Sequence, residues 1–198
     1  MLICVPIQVK TQKEAIQKMR FLKGKTDLAE LWLDSISDLD LPALFKRKPL
    51  PVICKGRKAL EAAKLGADYI DLLFLGETAP KTCAKLILSH HDFKRTPSLA
   101  RMLSLAMGMR RAGADIVKIA VMARSLADTL NVIFLAQELQ RRGIAHILIA
   151  MGPHGRLSRV ITPRLGGTIM FAPLKAGQAN APGQLTVREL KTAWNLIR

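Results

Sequence analysis

Acidic residues are scarce in this chain of 198 residues: 15 Asp and Glu stand against 31 Lys and Arg, for a formal net charge of +16. A surface this basic concentrates anions around itself and attracts polyanions without selectivity. Aromatic residues are also few, at 5% with a single tyrosine, which leaves no stacking platform of the kind single-stranded nucleic-acid binders use. The basic residues are scattered, the densest run being Leu44 to Pro49, LFKRKP. Steering of a small anionic substrate is therefore expected, with no specific nucleic-acid partner. Long apolar runs are missing, and nothing approaches the ~18 residues that a membrane span needs. The opening MLICVPIQVK lacks a small-residue cleavage site and reads as a first strand, so a cytoplasmic protein without a membrane partner is expected. Cys4, Cys54 and Cys83 cannot all pair and form no CxxC or Cys/His cluster, which excludes a disulfide framework and a thiolate metal site. They are expected as small buried hydrophobes in a reducing compartment. There is no GxxxxGK[ST] phosphate loop and no carboxylate/histidine cluster, so neither a metal nor any other cofactor is expected.

What the chain does contain is a regular alternation. Strand-like runs LICVPI, LAELWLD, LPVICK, YIDLLF, KLILSHHDF, DIVKIAVM, HILIAMG and TIMFA are separated by helical patterns from end to end. Strands alternating with helices argue for βαβ units and a parallel sheet, and eight units close a barrel. The expected fold is a compact α/β single (β/α)8 TIM barrel over residues 1–198, with short helices after strands 2 and 4, where the spacing leaves room for one or two turns. Thr11 with Glu14, Ser125 with Asp128 and Thr186 with Glu189 fit capping boxes, and Thr96-Pro97 places proline at a first helical position. Leu126, Leu130, Ile133 and Phe134 share one side of the helix after strand six, while Val187, Leu190, Trp194 and Ile197 stripe the last; both stripes are expected to pack on the barrel wall. Gly166-Gly167 reads as a tight turn at the barrel bottom.

Lys118 is the most informative residue. It lies in the apolar run Asp115 to Met122, where alternation sends Val117, Ile119 and Val121 outward and Ile116, Lys118 and Ala120 into the barrel. A barrel has no edge strand for a lysine to protect. Burial disfavours the charged ammonium, so a lowered pKa and a nucleophilic amine are expected. Strand five ends in His90-His91, of which only one can face inward, and parity alone does not choose between them. An imidazole on the strand next to the lysine is well placed as general acid and base.

Four segments carry a resemblance: HHDFKRTPS (His90–Ser98), ADIVKIAVM (Ala114–Met122), MGPHGRLSR (Met151–Arg159) and APGQLT (Ala181–Thr186) resemble the type I 3-dehydroquinate dehydratases, in family order and each at a strand end or the loop after it. The resemblance implies a hydro-lyase of the shikimate pathway that converts 3-dehydroquinate to 3-dehydroshikimate through a lysine Schiff base. It implies Lys118 as the imine-forming lysine, His91 as the acid and base, and Glu61 as the carboxylate orienting that histidine. Arg159 matches the arginine that grips the substrate carboxylate, and Glu30, Arg57, Asn180 and Gln184 match other substrate-binding positions. It is also compatible with a homodimer.

The chain departs from the family pattern at three positions. Trp32 stands where an arginine follows the strand-two glutamate by two residues, so one N–H replaces a fixed charge and five donors. Lys55 stands where threonine is common, on the same inward parity, and is expected to restore the lost charge. Asn180 replaces a usual serine. Two other readings stay open: an aldolase-like lysine-imine barrel with a different carbonyl substrate, and a catalytically impaired basic barrel that binds nucleic acid.

Overall fold

The computed structural model describes residues 1–197. Its frame is eight parallel strands, β1 (Leu2–Ile7), β2 (Leu28–Trp32), β3 (Val52–Lys55), β4 (Tyr69–Leu73), β5 (Lys85–Asp92), β6 (Ile116–Met122), β7 (His146–Met151) and β8 (Ile169–Phe171). They hydrogen-bond in the order β7-β6-β5-β4-β3-β2-β1-β8. From β2 to β7 each strand pairs with its predecessor in sequence, and β8 returns to lie beside β1. The ring is nearly closed: Thr168 donates its N–H to the His146 carbonyl at 2.9 Å, and a bridge joins His146 to Gly167. All eight apolar runs of the sequence became strands. Their cores are buried on both faces, as the wall of a barrel jacketed by helices requires; in β6 every residue but the last is buried.

The jacket is α1 (Gln12–Leu22), α2 (Leu41–Lys46), α3 (Ala59–Lys64), α4 (Leu99–Arg111), α5 (Leu126–Arg141), α6 (Ser158–Ile161) and α7 (Val187–Leu196). It is thin on one side, though not quite where the spacing placed it. After β2 come a 3-10 turn at Leu33–Ser35 and the six-residue α2, as expected. After β4 there is no helix at all, and the second short helix, α3, follows β3 instead. Residues 74–84 carry Gly76, in a left-handed conformation at φ 93°, and Pro80, both of which break a helix. This segment is tied down by the Ala79 N–H bonding to the Ala112 carbonyl at 2.9 Å, just past α4.

The capping chemistry is mostly where the sequence put it. Ser125/Asp128 and Thr186/Glu189 form full reciprocal boxes, each such cap being worth about 1 kcal/mol. Thr11 caps α1, but the Glu14 carboxylate bonds to the Lys10 N–H, so that box is one-sided. Proline does not start α4: Ser98 is its N-cap, and the Thr96 hydroxyl instead donates to the Met122 carbonyl at 2.8 Å, linking that loop to the end of β6.

One stripe is corrected outright. Leu126, Leu130 and Phe134 of α5 are 56%, 39% and 51% exposed, and the face on the barrel is Thr129, Val132, Leu135, Ala136 and Leu139. The helix is apolar on two faces, so its periodicity fits either. Packing selected the face whose smaller residues allow close approach, fastened by the Thr129 hydroxyl donating to the His154 carbonyl at 2.8 Å. In α7 Val187, Leu190 and Trp194 are buried as expected, whereas Ile197 beyond its end is exposed. Cys4 and Cys54 are buried and Cys83 is exposed, against the expectation for the third. Burial pushes both buried thiols up, Cys54 to about 12.

Candidate active site

The period of two along each strand decides what enters the barrel. Register pairs Ser89 of β5 with Lys118 of β6 and His91 with Ala120, so Ser89, His91, Lys118 and Ala120 share the inner surface. Of the two adjacent histidines, His91 lines the central cavity, while His90 belongs to an outer crevice beside α4. The central cavity has a volume of about 350 Å³ and opens at the carboxyl ends of the strands, where active sites of this architecture lie. Glu30, Trp32, Lys55, His91, Lys118 and Arg159 all line it, as do Asn180 and Gln184 from the loop before α7.

Lys118 is 4% exposed, and its Nζ sits 2.6 Å from Asp71 Oδ2, 3.6 Å from Glu30 Oε1 and 4.1 Å from the centre of the Phe171 ring. This overturns the expected electrostatics. Burial does work to lower the lysine pKa, but attraction to Asp71 and Glu30 outweighs it and holds the ammonium above the ordinary lysine range. Asp71 is correspondingly held down: burial opposes its ionisation, and Lys118, then Lys55, more than compensate. One of its oxygens, Oδ1, is buried and makes no hydrogen bond of ordinary geometry among the described residues, with the Ser89 hydroxyl close enough to help hold the carboxyl down. Asp71 had not been picked out in the sequence. Part of the signal was present, since alternation puts Tyr69, Asp71 and Leu73 on one face of β4, and register through β5 to Lys118 makes it the inner face.

His91 lies one strand over and two residues beyond the level of Lys118, about 8 Å away between Cα atoms by strand geometry. Partial burial, then repulsion from Lys118 and Lys55, lowers its pKa to about 4, so it is neutral at physiological pH. Its ring stacks on Phe93 with centroids 5.9 Å apart and planes 12° from parallel.

Arg159 is fully buried in α6, and burial lowers its pKa to about 10. Among the described residues its Nε and Nη1 have no hydrogen-bond partner, and Nη2 makes only a long 3.4 Å contact with the Pro182 carbonyl. The same carbonyl accepts the Gly152 N–H at 3.1 Å, which docks the Asn180–Gln184 loop over the cavity. That docking is close: a Cβ on Gly183 would stand 2.2 Å from the Gly152 carbonyl oxygen. Within the loop the Gln184 side-chain oxygen accepts the Asn180 N–H at 3.0 Å. A buried cation with two donors unmatched is a ready receptor for a planar anion.

Two of the residues singled out in the sequence lie elsewhere. Arg57 is exposed and ion-paired to Asp34 at 3.6 Å, and Glu61 is exposed on α3; neither lines the cavity. β3 ends at Lys55, and Gly56, at φ 126°, turns the chain away before the alternation can bring Arg57 inside. Both Asp34 carboxylate oxygens accept the Arg57 N–H, at 3.1 and 3.2 Å, and hold the turn outward. No carboxylate hydrogen-bonds the His91 ring among the described residues. Trp32 and Lys55 fill the space instead: the indole N–H donates to Glu30 Oε2 at 2.7 Å, and Lys55 Nζ lies 5.4 Å from the Trp32 ring centre.

A family model described as type I 3-dehydroquinase matches residues 3–198. The chain is 34% identical over 210 residues to the 3-dehydroquinate dehydratase of Methanosarcina barkeri, covering 88% of this chain and 87% of that one. It is 30% identical over 227 residues to the chloroplastic bifunctional 3-dehydroquinate dehydratase/shikimate dehydrogenase of Arabidopsis thaliana, covering all of this chain but 37% of the plant protein. The match to the 3-dehydroquinate dehydratase of Methanosarcina mazei, 38% over 113 residues, spans 47% of that protein; the chain thus covers less than half of these last two relatives. Among solved structures, type I 3-dehydroquinate dehydratase from Clostridium difficile, with covalently modified comenic acid, superimposes with a TM-score of 0.87 at 25% identity, covering 99% of this chain and 91% of that one. The Geobacillus kaustophilus enzyme gives 0.86 at 22% identity over 99% and 90% of the two chains, a likeness of fold.

Proposed function

The chain belongs to the type I 3-dehydroquinase family, and on that premise we propose that it dehydrates 3-dehydroquinate to 3-dehydroshikimate through a Schiff base on Lys118. The observation that carries this reading is the meeting, in one cavity, of a buried lysine, a neutral histidine and a buried arginine with two unmatched donors. Arg159 takes the substrate carboxylate. Lys118 adds to the C3 carbonyl and, with loss of water, forms an iminium that draws electrons from C2 better than the ketone does. His91, neutral in the resting site, takes the C2 proton to leave an enamine. The same imidazolium then protonates the C1 hydroxyl, which departs as water, and hydrolysis of the iminium frees the product and the lysine. Glu30, Asn180 and Gln184 are assigned to substrate polar groups, and Lys55 supplies positive charge on the side where Trp32 has replaced an arginine. Glu61 has no part in this scheme, and His91 acts without a carboxylate partner.

The outward turn of Arg57 together with the Trp32 ring favours a second reading, a lysine-imine barrel acting on another small keto acid. Borohydride reduction in the presence of 3-dehydroquinate separates the two. A mass adduct of this ligand on the peptide containing Lys118, with 3-dehydroshikimate absorbance in the unreduced reaction, supports the first reading. An adduct with other keto acids but none with 3-dehydroquinate supports the second.

A further inference from the structure

Attack on a carbonyl requires a lone pair on Lys118 Nζ, yet the resting site holds that nitrogen as an ammonium. Because the lysine is nearly buried at the cavity wall, solvent base reaches it poorly at neutral pH, and a group in direct contact is better placed to take the proton. The candidates can be compared one by one. Phe171, 4.1 Å away, stabilises a cation but cannot accept a proton. Glu30 stands 3.6 Å off, beyond a hydrogen bond, and its other oxygen is engaged by the Trp32 N–H. His91 sits a layer higher and has its own task at C2. Among the described residues Asp71 alone hydrogen-bonds the nitrogen, at 2.6 Å, with a side chain wholly shut from solvent and Oδ1 making no hydrogen bond of ordinary geometry.

We propose that Asp71 is a catalytic residue, the proton acceptor that frees the Lys118 amine and the proton donor that completes the imine. This rests on the imine reading above. In the first step an N–H bond of the ammonium breaks toward Asp71 Oδ2, leaving neutral amine and neutral acid. The nitrogen lone pair then bonds to the carbonyl carbon, and a proton passes from nitrogen to the new alkoxide to give a neutral carbinolamine. Asp71 returns its proton to the carbinolamine hydroxyl, which leaves as water as the nitrogen lone pair forms the C=N bond. The step ends with an anionic Asp71 beside a protonated iminium, the charge pair with which it began, so no net charge is created or lost in a low-dielectric site. The poorly partnered Oδ1 favours the exchange, because an aspartate short of hydrogen bonds holds its charge at a higher cost.

A structural or purely electrostatic role makes the opposite prediction. Removing the Asp71 charge by itself makes the ammonium easier to deprotonate, so Asp71→Asn would then speed imine formation near neutrality. The test is rapid-quench borohydride trapping on the whole chain with 3-dehydroquinate, reading the mass of the Lys118 peptide against time from roughly pH 6 to 10. The expected wild-type rate is flat across neutrality, because the proton is taken internally. For Asp71→Asn the expected rate at pH 7 is lower by at least about tenfold and climbs about tenfold per pH unit toward the wild-type value, as solvent base takes over. Recovery at high pH also shows that the variant keeps its pocket. An Asp71→Asn rate at pH 7 equal to or above wild type overturns the proposal. So does a wild-type rate that itself climbs tenfold per unit across neutrality, a measurement that needs no variant. Absence of any adduct in the wild type strikes at the imine reading instead, which keeps the two failures distinct.

Discussion

Arg159→Met changes binding and stability in opposite directions, and the structure sets both magnitudes. Methionine keeps most of the apolar stem and removes a guanidinium that is buried without partners on Nε and Nη1. An unmatched buried donor costs about 1–3 kcal/mol, and only the long contact to the Pro182 carbonyl is lost in return. A net gain of about 2 kcal/mol in the unliganded protein corresponds to a rise in Tm of about 4–8 °C for a chain of this size. The same change deletes the receptor for the substrate carboxylate, a buried charge pairing worth ~3 kcal/mol, so kcat/KM falls by about 10²-fold. Calorimetry without ligand and steady-state absorbance at 3-dehydroshikimate wavelengths read the two effects separately. If Tm falls and KM is unmoved, Arg159 is a structural residue and the carboxylate site lies elsewhere.

The depressed pKa of His91 gives a sign for pH dependence. Its folded value near 4 lies below the free value of 6.5, so the base-competent neutral form persists well into acid. The acid limb of kcat/KM governed by His91 should therefore have its midpoint near 4, and a midpoint at 6.5 would contradict the assignment. For the same reason stability present above pH 6.5 is progressively lost as pH falls from there toward 4, because the unfolded chain takes up the proton first; urea titrations across that window would show it. Glu61→Ala and Arg57→Ala should leave kcat/KM within about twofold of wild type, as expected of exposed side chains away from the cavity. A hundredfold loss from either would mean that the loop after β3 closes inward during turnover. Lys55→Met, which keeps length and removes charge, should raise KM by about tenfold with a smaller change in kcat, roughly one exposed-to-buried charge contact; an unchanged KM would remove Lys55 from the substrate site.

Much of the site was legible because barrels turn a one-dimensional pattern into a three-dimensional address. Once Ile116 to Met122 is a strand, period-two alternation leaves Lys118 no choice but the interior, and the neighbouring strand must bring His91 or His90 beside it. The same rule applied to Tyr69–Leu73 puts Asp71 on one face with Tyr69 and Leu73, and register with β5 makes that face the inner one. Asp71 was passed over because a lone acid in a short strand carries no motif. Glu61 and Arg57 were assigned by resemblance rather than by strand parity, and strand parity could not have placed them, because alternation holds only while the backbone stays extended. Gly56 ends that extension, and Asp34 secures the turn. The α5 stripe failed for a different reason: two apolar faces on one helix give the same periodicity, and the choice between them is a packing decision.

The sequence by itself determined the eight strands, their order around the ring and which residues of each strand share a face, while register between strands chose the inward face where the pattern left it open, as at His90 and His91. What the sequence determined follows from local patterning and from the rule that consecutive parallel strands lie side by side. The protonation of Lys118 was decided only by tertiary structure, because it depends on a carboxylate 47 residues away brought to 2.6 Å. Electrostatic energies scale with distance through a poorly screening interior, and distances between remote segments are what folding alone supplies.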